Sequence, residues 1–346
     1  MPEPPRARQR RRWRVARGAR LEYRSSGPLR VTRACVLHHP ISLPLAAALS
    51  LVFFASWARA LEPTLVAPGV YALIGDSLER SSDNPVEIGN SGFIVGGDGV
   101  LVIDTGISHR HGRAMIEAIR HVTDRPITLV IITHAAQAFL FGGAAFAELQ
   151  VPLLTHARSA QLMRQRCERC LQDLQRTLGP EAMAGTRLVI PERTVEASTA
   201  LALGDRHLEL LYSGWASTPG DLSVYDPATG TLFAGGLITN RRIPEVRDAK
   251  LEGWLRALDG LSQLHAKRIV PGYGPVGGSE LVDQTARYLR ALENQVQRLY
   301  QGGASLQEAL DNSALPDFAG WTQYPQLHRR NVQHRYLELE LEELGG

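Results

Sequence analysis

Beyond residue 60 the apolar positions follow two alternating grammars. Residues 66–73 and 90–103 are rich in Val, Ile and Gly with turn residues between them, and read as strands, with Gly97-Asp98-Gly99 at a hairpin tip. His109–Val122 spaces its apolar residues near 3.6, which predicts a helix. The run ITLVIIT at 127–133 is continuously apolar, as a strand buried on both faces requires. A Gly-containing loop, a short helix at 144–148, a strand at 151–155 and a long helix at 157–178 follow. The second half repeats the pattern, with strands at 194–197, 207–213, 222–225 and 231–234. The turn Asp226-Pro227-Ala228-Thr229-Gly230 separates the last two. A helix at 251–265, a strand at 268–271 and helices at 279–302, Leu306–Asn312 and 326–344 complete the chain. Strands interleaved with helices twice over suggest a two-layered αββα sandwich, a coarse reading that by itself does not fix the fold.

Composition changes the picture at the N-terminus. The 346 residues are 44% hydrophobic and 21% charged, enough for a sizeable core and unlike a disordered chain. The net charge of +3 is unevenly placed: residues 1–60 hold 12 Arg against 2 Glu, leaving 26 Lys+Arg against 33 Asp+Glu in the rest. Within that segment an Arg-rich stretch (5–33) precedes 16 uncharged residues (41–56), ISLPLAAALSLVFFAS, and then Ala58-Arg59-Ala60. Sixteen residues fall short of the roughly 20 that span hydrocarbon. The reading is a signal peptide over 1–60, its over-long basic region pointing to a start codon upstream of the real one, with an uncleaved anchor as the alternative. Residues 61–280 then form the main domain and 281–346 a helical extension packed on it. The expected mature chain is periplasmic or secreted, acidic, and free of membrane contact after cleavage. It has no nucleic-acid role, because binding nucleic acid needs a lasting basic surface.

Cys35 falls in the leader, leaving Cys167 and Cys170 in the sequence Cys-Glu-Arg-Cys. An even pair in an oxidising compartment predicts a local disulfide, with free or redox-active thiols and a metal role as the other readings. The histidines His109, His111 and His121 fall on or beside a predicted helix and are expected to be solvated or in loops. Trp215, Trp254 and Trp321 are expected in core or tail packing.

Several separated motifs carry chemistry. Ile103-Asp104-Thr105-Gly106, then Thr133-His134 and Gly142-Gly143, then Thr218-Pro219-Gly220-Asp221, Leu232-Phe233-Ala234-Gly235 and Val270-Pro271-Gly272 follow one another in the order and spacing of the metallo-beta-lactamase superfamily, which this chain resembles over residues 65–280. The Glu181-Ala182-Met183-Ala184-Gly185-Thr186 stretch is similar to the exported quinoprotein relay system zinc metallohydrolases. So are Asn240-Arg241-Arg242-Ile243-Pro244, His328-Arg329-Arg330-Asn331-Val332 and Tyr336-Leu337-Glu338-Leu339-Glu340. The resemblance implies an α/β (α+β) fold, the four-layer αββα sandwich with extra C-terminal helices, hydrolysis by a zinc-bound hydroxide where the two halves meet, and association with periplasmic quinoprotein dehydrogenase systems.

It also implies which positions hold zinc, and there this chain departs. His134 is kept. The second His position is Ala136, the Asp is Ala138, and the next His is Phe139. Ser217 stands for the His before Thr218-Pro219, Gly236 for the bridging Asp, and Tyr273 for the last His. Ala, Phe and Gly offer no donor, and neutral Ser and Tyr are poor ones. The expectation is therefore no bound cofactor, with zinc absent or weak, and no metal-hydroxide catalysis. Phe139, Leu140, Phe141 and Tyr273 are expected to fill the vestigial site. A residual polar site of Asp104, His134 and Asp221 remains, His134 being held by Asp104 or a loop carbonyl. The chain reads as an accessory or binding protein whose partner is a quinoprotein dehydrogenase, a cytochrome or an active paralogue. The alternative is a hydrolase with a relocated metal or a metal-free mechanism using Ser217, His134 and Asp104.

Overall fold

The structure, a computed structural model, describes residues 61–76 and 88–345. The expected signal peptide and Cys35 lie outside the described residues. No helix among the described residues is long and apolar enough to cross a membrane.

The first sheet contains β1 (Thr64–Ala67), β2 (Val70–Leu73), β3 (Ser91–Val95), β4 (Val100–Ile103), β5 (Ile127–Ile131), β6 (Leu153–His156) and β7 (Arg193–Val195), in that spatial order. β1 to β4 form an antiparallel meander, and β4 to β7 run parallel. Parallel neighbours need a crossover. Helix α1 (His109–Val122) supplies the first, the short α2 (Gln137–Leu140) and α3 (Gly143–Glu148) the second, and α4 (Ala157–Ala182) the third. The second sheet contains β8 (Thr199–Leu203), β9 (Arg206–Tyr212), β10 (Leu222–Asp226), β11 (Thr231–Phe233) and β12 (Arg268–Val270). Only β11 and β12 pair in parallel there, across the crossover helix α5 (Leu251–Ser262).

Three apolar clusters define the layers. Ile94, Leu101, Ile131, Leu208, Val224 and Phe233 interdigitate between the two sheets. The other face of the first sheet packs Val102, Val130, Met115, Phe146 and Met163 against α1 to α4. The second sheet packs Leu232 and Ile269 against α5, α6 (Glu280–Gln301) and the C-terminal α7 (Leu306–Asn312) and α8 (Arg329–Gly345). This is the expected αββα order, and the helices after 280 cover the second sheet. Arg206 ties the sheets together. Its guanidinium pairs with the buried Asp226 carboxylate at 2.5 Å and donates to the carbonyls of Pro68 and Val95 in the first sheet.

Three local expectations change. Residues 66–73 are not one strand but a hairpin, because Pro68-Gly69 turns the chain with Gly69 at φ +72°. Residues 137–140 form the additional helix α2, and 199–203 the additional strand β8, whose alternation is hidden by alanines. The predicted helix at 157–178 extends to Ala182 across a break at Gly179 (φ 81°), where Pro180 follows.

Candidate functional site

The sequence-marked residues converge at one edge of the sandwich. Asp104 follows β4, Thr133 and His134 follow β5, Ser217–Asp221 precede β10, Gly235–Leu237 follow β11, and Pro271–Gly274 follow β12. Strand ends from both sheets thus meet around one cleft, and α2 delivers Ala138 and Phe139 beneath it. Asn90 pins the last loop in place. Its amide donates to the carbonyls of Pro271 and Gly274, and its carbonyl accepts from the Gly75 backbone N–H.

Asp104 is a non-glycine residue at φ 58°, a conformation that costs energy and persists only when its surroundings enforce it. The enforcing group is Thr133, whose backbone N–H donates to Asp104 Oδ1 at 2.8 Å and whose hydroxyl lies 2.8 Å from Oδ2. The same hydroxyl lies 2.8 Å from His134 Nδ1. His134 is therefore held by neither Asp104 directly nor a loop carbonyl, as the sequence suggested, but by Thr133 as a bridge. Burial drives the Asp104 pKa up to about 7, with the Thr133 bonds opposing, and burial drives His134 down to about 4. The imidazole is neutral at neutral pH.

The opposite wall is a second small network. Ser217 Oγ donates to Asp221 Oδ1 at 2.7 Å, and the Thr218 backbone N–H donates to Asp221 Oδ2 at 2.6 Å. Burial raises the Asp221 pKa to about 6, with hydrogen bonds from Thr218 and Ser217 opposing. Asp221 thus braces its own loop.

Between these walls the space is occupied. Phe139 is fully buried, its ring 4.5 Å from that of His134 and 5.3 Å, edge to face, from that of Tyr273. The Arg242 guanidinium lies 3.9 Å over the Tyr273 ring. A Cβ on Gly236 would stand 2.8 Å from Ser217 Oγ and 2.9 Å from His134 Nε2, closer than ordinary contact. Leu140 and Phe141, expected to fill the cleft, are buried in the core with Met115, Phe146 and Met163 and do not line the cleft. A cleft of about 70 Å³ remains, lined by His134, Ser217, Arg242, Arg247, Asp248 and Tyr273 among others. That admits a few waters, against about 300–1,000 Å³ for a typical small-molecule site.

Zinc does not fit this donor set. His134 Nε2 is the one imidazole nitrogen offered to the cleft by the residues that the resemblance singles out, and the room for a side chain at Gly236 is taken. Among the described residues no three His, Cys, Asp or Glu side chains cluster so as to hold a metal ion.

The cysteine pair stands on α4, packed toward α2. In this structure both are free thiols one helical turn apart, Cys167 buried and Cys170 half-buried. A regular helix leaves such neighbours about 5–6 Å apart at Cβ, wider than a relaxed disulfide spans. His111 is buried beneath Gly106 rather than solvated, whereas Trp215 is exposed rather than in the core. Asn90 carries no mark in the sequence, whereas Thr133 and Arg242 fall in motif stretches without being singled out as site residues. Thr133 sits inside a motif and is readable as a brace; the other two act through loops distant in sequence.

This architecture of two β-layers flanked by helices, with a cleft at the strand ends, is the metallo-beta-lactamase fold. It superposes on a metallo-beta-lactamase from Pontibacter korlensis with a TM-score of 0.56 and 23% identity, covering 66% of this chain and 99% of that one. It also matches the mono-zinc form of a Pseudomonas aeruginosa metallo-beta-lactamase with a TM-score of 0.54 and 21% identity, covering 66% and 94%. The family model for the metallo-beta-lactamase superfamily matches residues 84–135. A linear primary-alkylsulfatase from Pseudomonas sp. is 24% identical over 287 residues, 72% of this chain; the chain spans about half (54%) of that relative's length. A Bacteroides fragilis metallo-beta-lactamase type 2 is 28% identical over 103 residues, 28% of this chain and 41% of its own. The family model and the relatives point to the metallo-beta-lactamase superfamily, and the solved structures show its fold.

Proposed function

We propose that this chain is a non-catalytic member of that hydrolase superfamily, exported as an accessory or binding protein of periplasmic quinoprotein dehydrogenase systems. Its partner would be a dehydrogenase, a cytochrome or an active paralogue. The observation that carries the non-catalytic reading is the buried Phe139 ring, wedged between His134 and Tyr273 where the resemblance puts zinc ligands. The parent chemistry needs a metal to lower the pKa of water from 15.7 to about 7, and a site with one imidazole donor supplies no such hydroxide. The export and the quinoprotein association rest on the leader's composition and on the motif resemblance.

The experiment is metal analysis of protein expressed in zinc-replete medium without chelator, paired with a panel of β-lactam, thioester and primary alkyl sulfate substrates. The proposal expects far less than one metal ion per chain and no turnover above buffer. Stoichiometric zinc together with turnover lost in His134→Ala would overturn it. Co-purification with a quinoprotein dehydrogenase or cytochrome supports the partner class.

A hydrolase reading is favoured by one observation, the 287-residue similarity to the alkylsulfatase. In a metal-free version, His134 would be the base, oriented through Thr133 by Asp104, and Ser217 the nucleophile. Against it, the Ser217 hydroxyl is already committed to Asp221 rather than to His134.

A further inference from the structure

Cys167 and Cys170 on α4 are absorbed by none of the chemistry above. α4 packs Cys170 against Gln137, the first residue of α2, and the charge of Arg247, a cleft-lining side chain, acts on it. Three features separate the pair from two inert core thiols. The two free thiols stand one turn apart on α4, which puts them on the same face of the helix. Cys170 is half-buried and so reachable, whereas Cys167 is 2% exposed. The electrostatics also favour a sulfur anion on Cys170, through hydrogen bonding from Cys167 and Gln137 and the positive charge of Arg247. Those groups hold the Cys170 thiol below its usual range, at about 6, despite its burial, while the hydrogen bond to Cys170 and burial push Cys167 up. Of the neighbouring charges on α4, Arg166 favours ionisation of Cys167 and Glu168 opposes it.

We infer that Cys170 and Cys167 form a thiol–disulfide exchange site, in which Cys170 attacks an incoming disulfide and Cys167 resolves the product. The Cys170 thiolate attacks one sulfur of the partner disulfide, forming a mixed disulfide and expelling one partner thiolate. Cys167 then loses its proton to solvent and attacks Cys170 Sγ, closing the 167–170 disulfide and expelling the second partner thiolate. The chain gives up two electrons and two protons, and the partner disulfide becomes a dithiol. The helix gives the bond its character. The spacing of about 5–6 Å between Cβ atoms must tighten toward 4 Å for the bond to close, so the disulfide is strained. A strained disulfide is easily reduced and suits exchange rather than permanent cross-linking.

The test uses the full chain carrying Cys35→Ser, so that the pair alone reports. Reduced protein is mixed with oxidised glutathione at pH 7, quenched by alkylation and weighed by mass spectrometry. The expected product is an unmodified chain with the 167–170 disulfide, returned to two thiols by excess reduced glutathione. Adding Cys167→Ser accumulates a chain carrying one glutathionyl group, mapped to residue 170. Adding Cys170→Ser slows reaction at least tenfold, to the rate of a cysteine in the urea-unfolded chain. Three results overturn the inference: a native chain that keeps both thiols in oxidised glutathione, a disulfide that resists excess reduced glutathione, or glutathionylation of Cys167 at the native rate in Cys170→Ser. Circular dichroism of each variant confirms the fold, and titration of the native pair needs no variant.

Discussion

Truncating Phe139 tests whether the cleft floor is a packed plug or loosely covered space. Phe139→Ala removes a ring that is fully buried and touches His134, Tyr273 and the backbone at Gly89 and Gly272. The local backbone should survive, since the bonds from the Thr105 N–H and hydroxyl run to the Phe139 carbonyl, which the substitution keeps. The cost is then the lost transfer energy of the ring plus the cavity, about 3–5 kcal/mol for a buried Phe→Ala. Water entering from the cleft of about 70 Å³ places the value at the lower end. With a urea slope of about 3 kcal/mol per M for a domain this large, the midpoint falls by about 1 M. Urea unfolding followed by tryptophan fluorescence and circular dichroism measures it, and coincident curves with an unchanged slope validate the comparison. A shift below about 0.3 M, under about 1 kcal/mol, would refute the plug. A second arm, Phe139→His, places an imidazole where the resemblance expects one. Two imidazoles do not complete a site, so its zinc content should stay far below one ion per chain.

Gly236→Ala forces a methyl to within 2.8 Å of Ser217 Oγ and 2.9 Å of His134 Nε2, and should cost about 1–3 kcal/mol in the same unfolding assay. Arg206→Met leaves the buried Asp226 carboxylate without its cation and should cost about 3–5 kcal/mol, read as a large fall in urea midpoint. Asp104 has its pKa raised to about 7, so the native state holds its proton where the unfolded chain releases it. This contribution is full below about pH 4 and is lost as pH rises to 7, for up to about 4 kcal/mol. His134, lowered to about 4, works in the opposite sense between pH 4 and 6.5 and masks the slope in the native chain. The measurement is therefore the difference in stability between Asp104→Asn and the native chain, which should move in the variant's favour from pH 4 to 8. A pH-independent difference contradicts the buried, proton-holding carboxylate.

Helices with a clean 3.6 period are legible in the amino-acid pattern alone: α1 and α7 lie at the limits it predicts, because one apolar face and polar flanks define them. Ser305 and Glu308 form the capping box that sets the start of α7. The two-sided burial of β5 is legible only in part, since its first residues remain partly open to solvent. The hairpin at 66–73 reads wrongly as one strand, since a two-residue turn hides inside a continuous apolar pattern. The site positions are legible as positions, because motif glycines and loop order mark them. Their surroundings are not. That Thr133 rather than Asp104 holds His134 depends on a hydroxyl rotamer, and that Phe139 faces the cleft while Phe141 does not depends on how α2 is turned.

Strongly shifted carboxyl groups in a cleft ordinarily point to catalysis, yet the same shifts arise where carboxyl groups brace loops. Here the bonding decides between the two. Asp104 receives the Thr133 N–H and hydroxyl and holds together the ends of two neighbouring strands. Asp221 receives Ser217 and both the N–H and hydroxyl of Thr218 and closes its own loop. Several local donors offset part of the burial of each carboxyl group without any ion, and these bonds hold the loops in shape. On the proposed reading, this is how the surrounding motifs would stay intact without zinc donors. Ala, Gly and Phe at the positions the resemblance singles out bury no polar group that would need a metal as partner. The braces depend on the backbone, and replacing them would cost the fold itself.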